Sequence, residues 1–359
     1  MEDSHNHNHF FLMKIFAFIL AGGSGERFWP LSRNKTPKHL LRIFNEKTLI
    51  EHTVDRLRGV IPDEQIFVLT NAMQADAIRA VLPDLAPGNV VAEPAKRDTA
   101  PACALATAIV AAEDQRNVCI LLPADAMIHN VEVFRRQLLT MAEAAAKHDA
   151  IVTMAIPPKY AATGFGYLRL GNELSLNNLV SVDAFVEKPD EKTAEKYLFS
   201  NDYAWNAGIF AWRAEWFLKE AQRLLPPLGE FICGFPKGDF TDYLNEKFPD
   251  LPKISVDYAI LEKAREVIAV RAGFDWDDVG SWLALPTHLG CDDAKNCMSG
   301  QVVAVDSRHN IAFSSGRSVV LCGVNDLVVV ETPDAILVCK RDAVENIKKI
   351  PALLPPELQ

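Results

Sequence analysis

The fold is decided by the stretch IFAFILAGGSGER at residues 15–27, where an apolar run passes directly into a glycine-rich turn. A continuous apolar run bounded by turn residues indicates a buried strand. A strand that feeds such a turn brings several backbone N–H groups together, and this arrangement binds phosphate oxygens. Gly22, Gly23 and Gly25 allow positive φ angles and close approach by a ligand. The stretch therefore predicts a strand followed by a candidate phosphate-binding loop.

Two better-known glycine motifs do not fit this loop. The dinucleotide fingerprint needs a third glycine where Phe28 stands, and the Walker loop needs a Gly-Lys-Ser/Thr sequence that the stretch lacks. A bare Gly-Gly-x-Gly is most often a structural turn, so its surroundings matter. Arg27, Arg33 and Lys38 follow the loop closely, and such cations suit the charge of a triphosphate. Taken singly, each of them also fits a solvated surface charge.

Outward from this stretch, apolar runs alternate with helical patterns through the first two-thirds of the chain. This alternation predicts an α/β fold with a mixed, mostly parallel sheet covered by helices, whose ligands bind at the carboxyl ends of the strands. After about residue 290, short apolar runs separated by Asp, Asn, Gly and Ser predict a smaller β-rich domain, with an extra sheet or an oligomer interface as the alternatives. The predicted strands are residues 15–20, 66–70, 118–122, 151–154, 302–305, 311–313, 318–321, 327–331 and 336–340, and the predicted helices are residues 49–58, 75–81, 99–113 and 131–147.

Composition limits the classes of partner. The net charge of −10 argues against binding nucleic acid or an anionic membrane through bulk electrostatics. The seven cysteines are scattered without any C-x-x-C pair, which is typical of reduced thiols in a cytoplasmic protein. The apolar run at residues 10–21 is too short to span a bilayer and is interrupted by Lys14. We interpret the His-rich residues 1–12 as a disordered leader or tag, residues 13–290 as a catalytic domain and residues 291–359 as the β-rich domain.

Two aspartates are candidate metal ligands. Asp125 follows a predicted buried strand, and Asp278 lies in the segment DWDDVGSW at residues 275–282. An isolated Asp is more often a turn or cap residue. Together the two could hold one Mg²⁺, which prefers one or two carboxylates with phosphate oxygens and water.

Four polar clusters later in the chain are candidates for binding a hydroxylated acceptor. Sugars are recognised by directed hydrogen bonds from carboxylates, amides and backbone groups beside an aromatic or apolar wall. No nucleophilic triad is visible, which favours direct transfer, and histidines such as His39 are interpreted as surface or satisfied core residues. The clusters are TGFGY at 163–167, EKP at 187–189, NAG at 206–208 and SVDY at 255–258.

These motifs, in this order, resemble the signature of mannose-1-phosphate guanylyltransferases, a family of sugar-phosphate nucleotidyltransferases. The resemblance covers nearly the whole chain from Met13 onward and is closest to the single-activity form without the isomerase domain. It rests on FILAGGSGERFWPLSR at 18–33, PK at 37–38, EPAKRDTAP at 93–101, LPAD at 122–125, EKP at 187–189, WNAG at 205–208, SVDYA at 255–259, WDDVGSW at 276–282 and, in the tail, TPD at 332–334 and LVC at 337–339.

The resemblance implies a Rossmann-like catalytic domain and a small left-handed β-helix-like domain. It also implies that GMP is transferred from GTP to α-D-mannose 1-phosphate with Mg²⁺, giving GDP-mannose and pyrophosphate. The implied roles are catalysis for Arg27 and Lys38, Mg²⁺ binding for Asp125 and Asp278, sugar binding for Gly166, Glu187, Asn206 and Asp257, and nucleotide binding for Leu20, Ala21, Gly22, Gly23, Gly25, Asn71, Glu93, Arg97 and Thr99.

Three positions depart from the family pattern. Ala126 stands where the family usually has His, Asp98 where it has Asn, and His39-Leu40 where it has Gln-Phe. None removes a residue needed for transfer, but they leave the base and sugar preference open. The alternatives are the same chemistry on another hexose or heptose 1-phosphate or another nucleotide, and a regulatory subunit that binds nucleotide-sugar without turnover. A homodimer is one possible assembly.

Overall fold

The computed structural model describes residues 13–23, 25–175 and 178–359. The predicted leader, residues 1–12, lies outside the described residues. The strands are β1 Ile15–Ala21, β2 Ile66–Asn71, β3 Val90–Glu93, β4 Val118–Pro123, β5 Ile151–Ile156, β6 Tyr167–Ser175, β7 Leu179–Val186, β8 Tyr203–Arg213, β9 Val267–Arg271, β10 Cys297–Ser299, β11 Val302–Val305, β12 Ile311–Ser314, β13 Val319–Cys322, β14 Leu327–Glu331 and β15 Ile336–Lys340. The α-helices are α1 Leu49–Leu57, α2 Ala75–Val81, α3 Thr99–Glu113, α4 Val131–Lys147, α5 Glu191–Ser200, α6 Ala214–Leu224, α7 Pro226–Cys233, α8 Thr241–Lys247, α9 Val256–Ala259 and α10 Leu285–Leu289.

Nine strands form one mixed sheet in the order β3-β2-β1-β4-β8-β5-β9-β7-β6. Strands β1 to β4 are parallel to one another, as expected from the alternation of strands and helices. In the other half only β5 and β9 are parallel, and β8 runs antiparallel to both β4 and β5. The expectation of a mostly parallel sheet therefore holds for the half that carries the glycine loop. The other half is mostly antiparallel because β6 and β7 pair as neighbours in the chain, and because β8 pairs antiparallel with β4, β5 and β6.

Strand β1 explains why its sequence is apolar without alternation. Phe16 and Phe18 pack into the core on one face of the sheet, whereas Ala17 and Ile19 pack into the core on the other face. A strand covered by helices on both faces loses all of its side chains to the interior, so every position favours an apolar residue. The polar loop that follows is consequently the first point at which this strand meets solvent.

The C-terminal strands form a β-helix-like stack. Strands β10, β12 and β14 pair in parallel, β15 adds an antiparallel edge, and β11 pairs in parallel with β13. Each parallel pair joins a strand to the next strand but one, so the chain coils through successive turns. Asn296 and Asn310 donate side-chain hydrogen bonds to the carbonyl oxygens of Ser307 and Val324, at 2.9 Å in both cases, and thereby tie neighbouring turns together. All five predicted C-terminal strands are present.

The β-helix-like stack packs directly on the segment that follows the glycine loop. Phe28 and Trp282, from the larger part of the chain, share one apolar cluster with Val330, Val344 and Ile347. All five side chains are buried. The two parts of the molecule therefore share a core at the edge of the site. In the described part of the chain, no helix is long and apolar enough to cross a membrane.

Candidate functional site

Three connected cavities lie at the carboxyl ends of the parallel strands. The loop cavity has a volume of about 460 Å³ and collects most of the residues predicted to bind nucleotide. The carboxylate cavity, of about 320 Å³, collects those predicted to bind sugar, and the cation cavity, of about 350 Å³, adjoins both. Asp125 lines all three. Of the predicted residues, the loop cavity contains Leu20, Ala21, Gly22, Gly23, Gly25, Lys38, Glu93, Arg97, Thr99 and Asp125, the carboxylate cavity contains Asp125, Gly166, Glu187, Asn206, Asp257 and Asp278, and the cation cavity contains Gly25, Arg27, Lys38, Asp125 and Asp278.

The glycine loop brings backbone unusually close to Lys38. Gly25 has a φ of +66°, and a Cβ atom placed there would lie 2.2 Å from the Cβ of Lys38. Only glycine combines this left-handed conformation with so close an approach. The hydroxyl of Ser32 donates to the Gly25 carbonyl at 2.8 Å and fixes the turn. Glycine is therefore needed at position 25 to leave room for Lys38, in addition to any ligand that binds the loop.

Lys38 joins the two predicted metal ligands. Its Nζ lies 2.8 Å from Oδ2 of Asp125 and donates to the backbone carbonyl of Asp278. Only 7 % of the Lys38 residue is exposed, so little water screens this ammonium group. The sequence placed Lys38 and Asp125 eighty-seven residues apart and Asp278 much further on, yet the fold gathers all three around one point.

Hydrogen bonds from helix α1 fix the backbone on both sides of Asp125. The buried Arg56 donates to the carbonyl of Ala126 at 3.0 Å and to the hydroxyl of Thr53 at 2.7 Å. That hydroxyl in turn lies 3.2 Å from the carbonyl of Ala124. The carbonyls on both sides of Asp125 are thus fixed by groups from helix α1. A carboxylate on so constrained a backbone is suited to hold a cation at a defined position.

The carboxyl group of Asp278 is surrounded by other anions. Its pKa is raised to about 6, mainly by burial; Lys38 and Arg27 oppose the rise, and the charges of Asp277 and Asp125 contribute to it. A divalent cation between Asp125 and Asp278 would relieve this repulsion, so the donor set fits Mg²⁺ bound by two carboxylates, phosphate oxygens and water. Within the described residues, no group of three or more His, Cys, Asp or Glu side chains could hold a metal, so any such ion needs ligands from a substrate.

The carboxylate cavity holds the predicted sugar-binding residues together. A Cβ atom on Gly166 would lie 2.8 Å from Oε2 of Glu187, so the bare glycine leaves room for that carboxylate. Oδ1 of Asn206 accepts from Thr153 at 3.1 Å and from the Gly208 amide at 3.2 Å, which leaves the Nδ2 donors for a ligand. Burial raises the pKa of Asp257 to about 6, and the neighbouring Glu187 adds to that rise.

Aromatic rings form one side of the carboxylate cavity. Phe165 packs edge-on against Trp276 and Trp205, with ring centroids 5.3 Å and 5.2 Å away. Phe165 and Trp276 both line the cavity. The indole Nε1 atoms of Trp276 and Trp205 are buried without a hydrogen-bond partner among the described residues. An apolar wall with an unpaired donor beside carboxylates is the composition expected of a sugar site.

The predicted base-side residues divide into two groups. Glu93, Arg97 and Thr99 line the loop cavity, and burial raises the pKa of Glu93 to about 8. Thr99 also lines the carboxylate cavity, and its hydroxyl accepts from the Val256 amide at 2.9 Å. Asn71 instead accepts a hydrogen bond from the amide of Gln74 at 3.1 Å, and it is absent from the described lining of the loop cavity.

Arg27 lies in the cation cavity and is held by the C-terminal region. Its Nε is 2.9 Å from Oε2 of Glu345, and both side chains are exposed. From the sequence, Arg27 was predicted to neutralise phosphate charge, and no protein partner was predicted for it. Because 318 residues separate the two side chains, no local pattern announces this pair.

Seven residues with no individually predicted role also line the loop cavity. Three are charged: Lys96, Asp98 and Lys253. Another is His39, which is 3 % exposed and whose Nε2 has no hydrogen-bond partner within the described chain, so the interpretation as a surface or satisfied core histidine is wrong. Burial lowers its pKa to about 4, the charge of Asp125 opposes the fall, and Lys38 adds to it. Its departure from the family pattern was the signal that could have found it.

Two known protein families match this chain. Residues 16–289 match the family described as Nucleotidyl transferase. The chain belongs to the nucleotidyl transferase family. Residues 300–353 match a second family, described as MannoseP isomerase/GMP-like beta-helix domain, in agreement with the coiled strands of the C-terminal region. The Rossmann-like architecture with a C-terminal β-helix-like region is therefore confirmed.

Several characterised relatives resemble this nucleotidyl transferase along most of its length. A mannose-1-phosphate guanylyltransferase of Salmonella muenchen is 34 % identical over 94 % of this chain and 73 % of its own. The alginate biosynthesis protein AlgA of Pseudomonas aeruginosa is 33 % identical over 92 % of this chain and 70 % of its own. The crystal structure of a mannose-1-phosphate geranyltransferase from Thermus thermophilus is 34 % identical, with a TM-score of 0.85 over 95 % of this chain and 99 % of that one. The resemblance seen in the sequence is confirmed.

Proposed function

We propose that this nucleotidyl transferase moves GMP from GTP to α-D-mannose 1-phosphate, giving GDP-mannose and pyrophosphate. One observation carries the proposal: the loop, carboxylate and cation cavities meet at Asp125, beside Lys38 and Asp278. Nucleotide, sugar and leaving group each have a compartment, and the reacting phosphates meet where the compartments join. The names of the relatives support GTP and mannose 1-phosphate as the substrates.

The transfer proceeds by in-line displacement. A phosphate oxygen of the sugar phosphate forms a bond to the α-phosphorus of GTP, while the bond from that phosphorus to the oxygen bridging the β-phosphorus breaks. The electron pair of the broken bond leaves with pyrophosphate, so no covalent enzyme intermediate is needed. Lys38, buried at the junction, faces the charge that develops on the phosphoryl oxygens. Arg27 stands on the cation-cavity side, where the leaving group departs.

Asp125 and Asp278 are the residues that would hold Mg²⁺. The bound ion would supply charge neutralisation between the two phosphate groups that must approach each other. Lys38 orients Asp125 through the 2.8 Å contact, and Arg56 and Thr53 keep its backbone in place. Glu187, Asn206 and Asp257 orient the sugar by hydrogen bonds to its hydroxyls, and this leaves its phosphate at the junction.

The finer assignments are part of the same proposal. Residues 13–290 act as the catalytic domain and residues 291–359 as the β-rich domain, supported by the two family matches. A cytoplasmic location is supported by seven cysteines that are all free thiols. The homodimer stays a prediction, which sedimentation of the purified protein decides.

The test is a pyrophosphate-release assay over four nucleoside triphosphates and several hexose and heptose 1-phosphates. We expect the highest kcat/KM for GTP with mannose 1-phosphate, and release that stops when a chelator removes Mg²⁺. Release with a different pair only would replace the substrate assignment by that pair. No release with any pair, together with tight binding of GDP-mannose, would favour the regulatory subunit.

A further inference from the structure

One wall of the cation cavity comes from the C-terminal region. Seven of the eight lining residues lie between Gly25 and Gly280, and the eighth is Lys348. Lys348 is exposed and has no hydrogen-bond or ion-pair partner in the part of the chain that the structure describes. An unpaired ammonium group therefore stands at the rim of the compartment assigned to the leaving group.

The segment that carries Lys348 is firmly anchored. Residues Arg341–Lys349 form a 3₁₀-helix, and Val344 and Ile347 bury one side of it in the apolar cluster that also contains Phe28. Glu345 pairs with Arg27 at 2.9 Å. Residues three apart eclipse each other on a 3₁₀-helix, so Lys348 lies above Glu345 and shares its face. The apolar anchor and the ion pair together direct this face to the glycine loop.

The charge balance of the cavity explains what a further cation would do. Lys38 is engaged by Asp125 and Asp278, and Arg27 is engaged by Glu345. The leaving pyrophosphate carries several negative charges, and these grow during the displacement. Lys348 is the lining cation that remains without a protein counter-ion in the described structure.

We propose that Lys348 binds the β- and γ-phosphates of GTP and the pyrophosphate that is released. This inference rests on the proposed function, since it assigns the C-terminal region a part in the same site. It makes the β-helix-like region a contributor to catalysis in addition to its packing role. Lys348 would contact the substrate and is therefore a catalytic residue in the strict sense.

The neighbouring Lys349 supplies a matched control. It has the same charge and is also exposed, but its Nζ donates to Oδ1 of Asn346 at 2.8 Å and it does not line the described cation cavity. Replacing either lysine by Gln removes one positive charge from the same turn of the chain. Only the Lys348→Gln change removes it from the cavity.

The experiment measures steady-state kinetics of the full chain in both directions. For Lys348→Gln we expect the KM of GTP and the KM of pyrophosphate in the reverse reaction to rise about threefold to tenfold, which matches a screened charge-assisted contact. The KM values of mannose 1-phosphate and GDP-mannose should stay unchanged, Lys349→Gln should behave as wild type, and Lys348→Arg should recover most of the affinity. Equal kinetics for the two Gln variants would overturn the proposal, as would a rise confined to the sugar substrates.

Calorimetry with inorganic pyrophosphate separates this inference from the proposed function, because it needs no turnover. A loss of pyrophosphate affinity in Lys348→Gln, but not in Lys349→Gln, supports the role of Lys348 even if the wild type fails to use mannose 1-phosphate. Undiminished pyrophosphate affinity in Lys348→Gln contradicts that role even if guanylyl transfer is found.

Discussion

The loop cavity and the carboxylate cavity share Leu20, Thr99 and Asp125 but differ in charge. Cations and anions both line the loop cavity, whereas the described lining of the carboxylate cavity has acidic residues and no cation. A carboxylate accepts hydrogen bonds from hydroxyls and repels phosphate. The difference therefore favours one orientation of a bound sugar phosphate, with the sugar in the carboxylate cavity and the phosphate towards the loop cavity. The loop-cavity cations are Lys38, Lys96, Arg97 and Lys253, and the acidic residues of the carboxylate cavity are Asp125, Glu187, Asp257 and Asp278.

The largest loss of activity should come from substitutions of the two aspartates at the boundary between the cavities. We expect Asp125→Asn and Asp278→Asn each to lower kcat/KM by about a thousandfold or more, the loss of several kcal/mol of charge stabilisation. Circular dichroism should show a folded protein in both cases. Asp114→Asn, which breaks only an exposed pair with Arg116, is the control. Near-normal rates at saturating Mg²⁺ would remove the metal assignment.

A smaller effect should separate the two cavities by substrate. Glu187→Gln and Asp257→Asn should raise the KM of mannose 1-phosphate about tenfold to a hundredfold, as expected for hydrogen bonds to a charged group. The KM of GTP should change less than twofold, because neither side chain lines the described loop cavity. Initial rates with each substrate varied in turn measure both. Equal changes in the two KM values would contradict the division into sugar and nucleotide compartments.

The loop cavity should respond to pH through Glu93. Its pKa of about 8 leaves the carboxyl mostly protonated near neutrality. Guanine presents two neighbouring donors, N1–H and N2–H, which an ionised carboxylate accepts. The KM of GTP should therefore fall up to about tenfold as the pH rises from about 7 to about 9, because the ionised fraction rises from roughly a tenth to nearly all.

The variant Glu93→Gln should abolish that pH dependence of the KM of GTP, while the KM of mannose 1-phosphate follows the same pH profile in both proteins.

Ionisation of Glu93 should strengthen GTP binding but lower the stability of the folded protein. Since the pKa of Glu93 is raised in the folded state, its contribution to the free energy of unfolding is lost as the pH rises towards about 8. Thermal unfolding at about pH 8 should consequently favour the variant relative to about pH 5, and an unchanged difference in melting temperature between these two pH values would contradict the shift.

The smallest effect concerns one indole N–H. Trp276→Phe keeps the aromatic wall but removes a buried, unpartnered donor from a ring that lines the carboxylate cavity, so the KM of mannose 1-phosphate should rise about threefold to tenfold if that donor binds the sugar. Trp205→Phe is a matched control, because its Nε1 is also unpartnered but the ring is not part of the described cavity lining. Identical behaviour of the two variants would assign both indoles to the core.

The sequence predicted the elements whose formation depends on residues close to one another in the chain. Helices α2, α3 and α4 have the predicted bounds. At the start of α3 and of α4, the side chains of Asp98 and Asn130 accept a backbone hydrogen bond from the first turn, which is a local signal. Strands β3, β6 to β9 and β10 were not predicted, and the partners of β8 and β9 include strands that are distant in the chain. In particular, β8 enters between β4 and β5 against the direction of both. No local pattern encodes such an insertion.

The site was predictable for residues that belong to compact motifs. Gly25, Lys38 and Asp125 stand in recognisable sequences and meet in space as expected. The partners supplied by tertiary structure were not predictable: Glu345 beside Arg27, and Lys348 at the cavity rim. Their sequence context is an ordinary charged segment, and only the apolar anchor beneath it directs them to the site.

The contacts between the two ends of the chain have a consequence for its synthesis. The glycine loop leaves the ribosome well before the residues of the C-terminal region that contact its flanking segment. Trp29 donates its indole N–H to the carbonyl of Leu358 at 2.9 Å, across 329 residues. Arg27 pairs with Glu345 across 318 residues. The residues around the glycine loop therefore reach their final arrangement only after residues 345–358 have been translated.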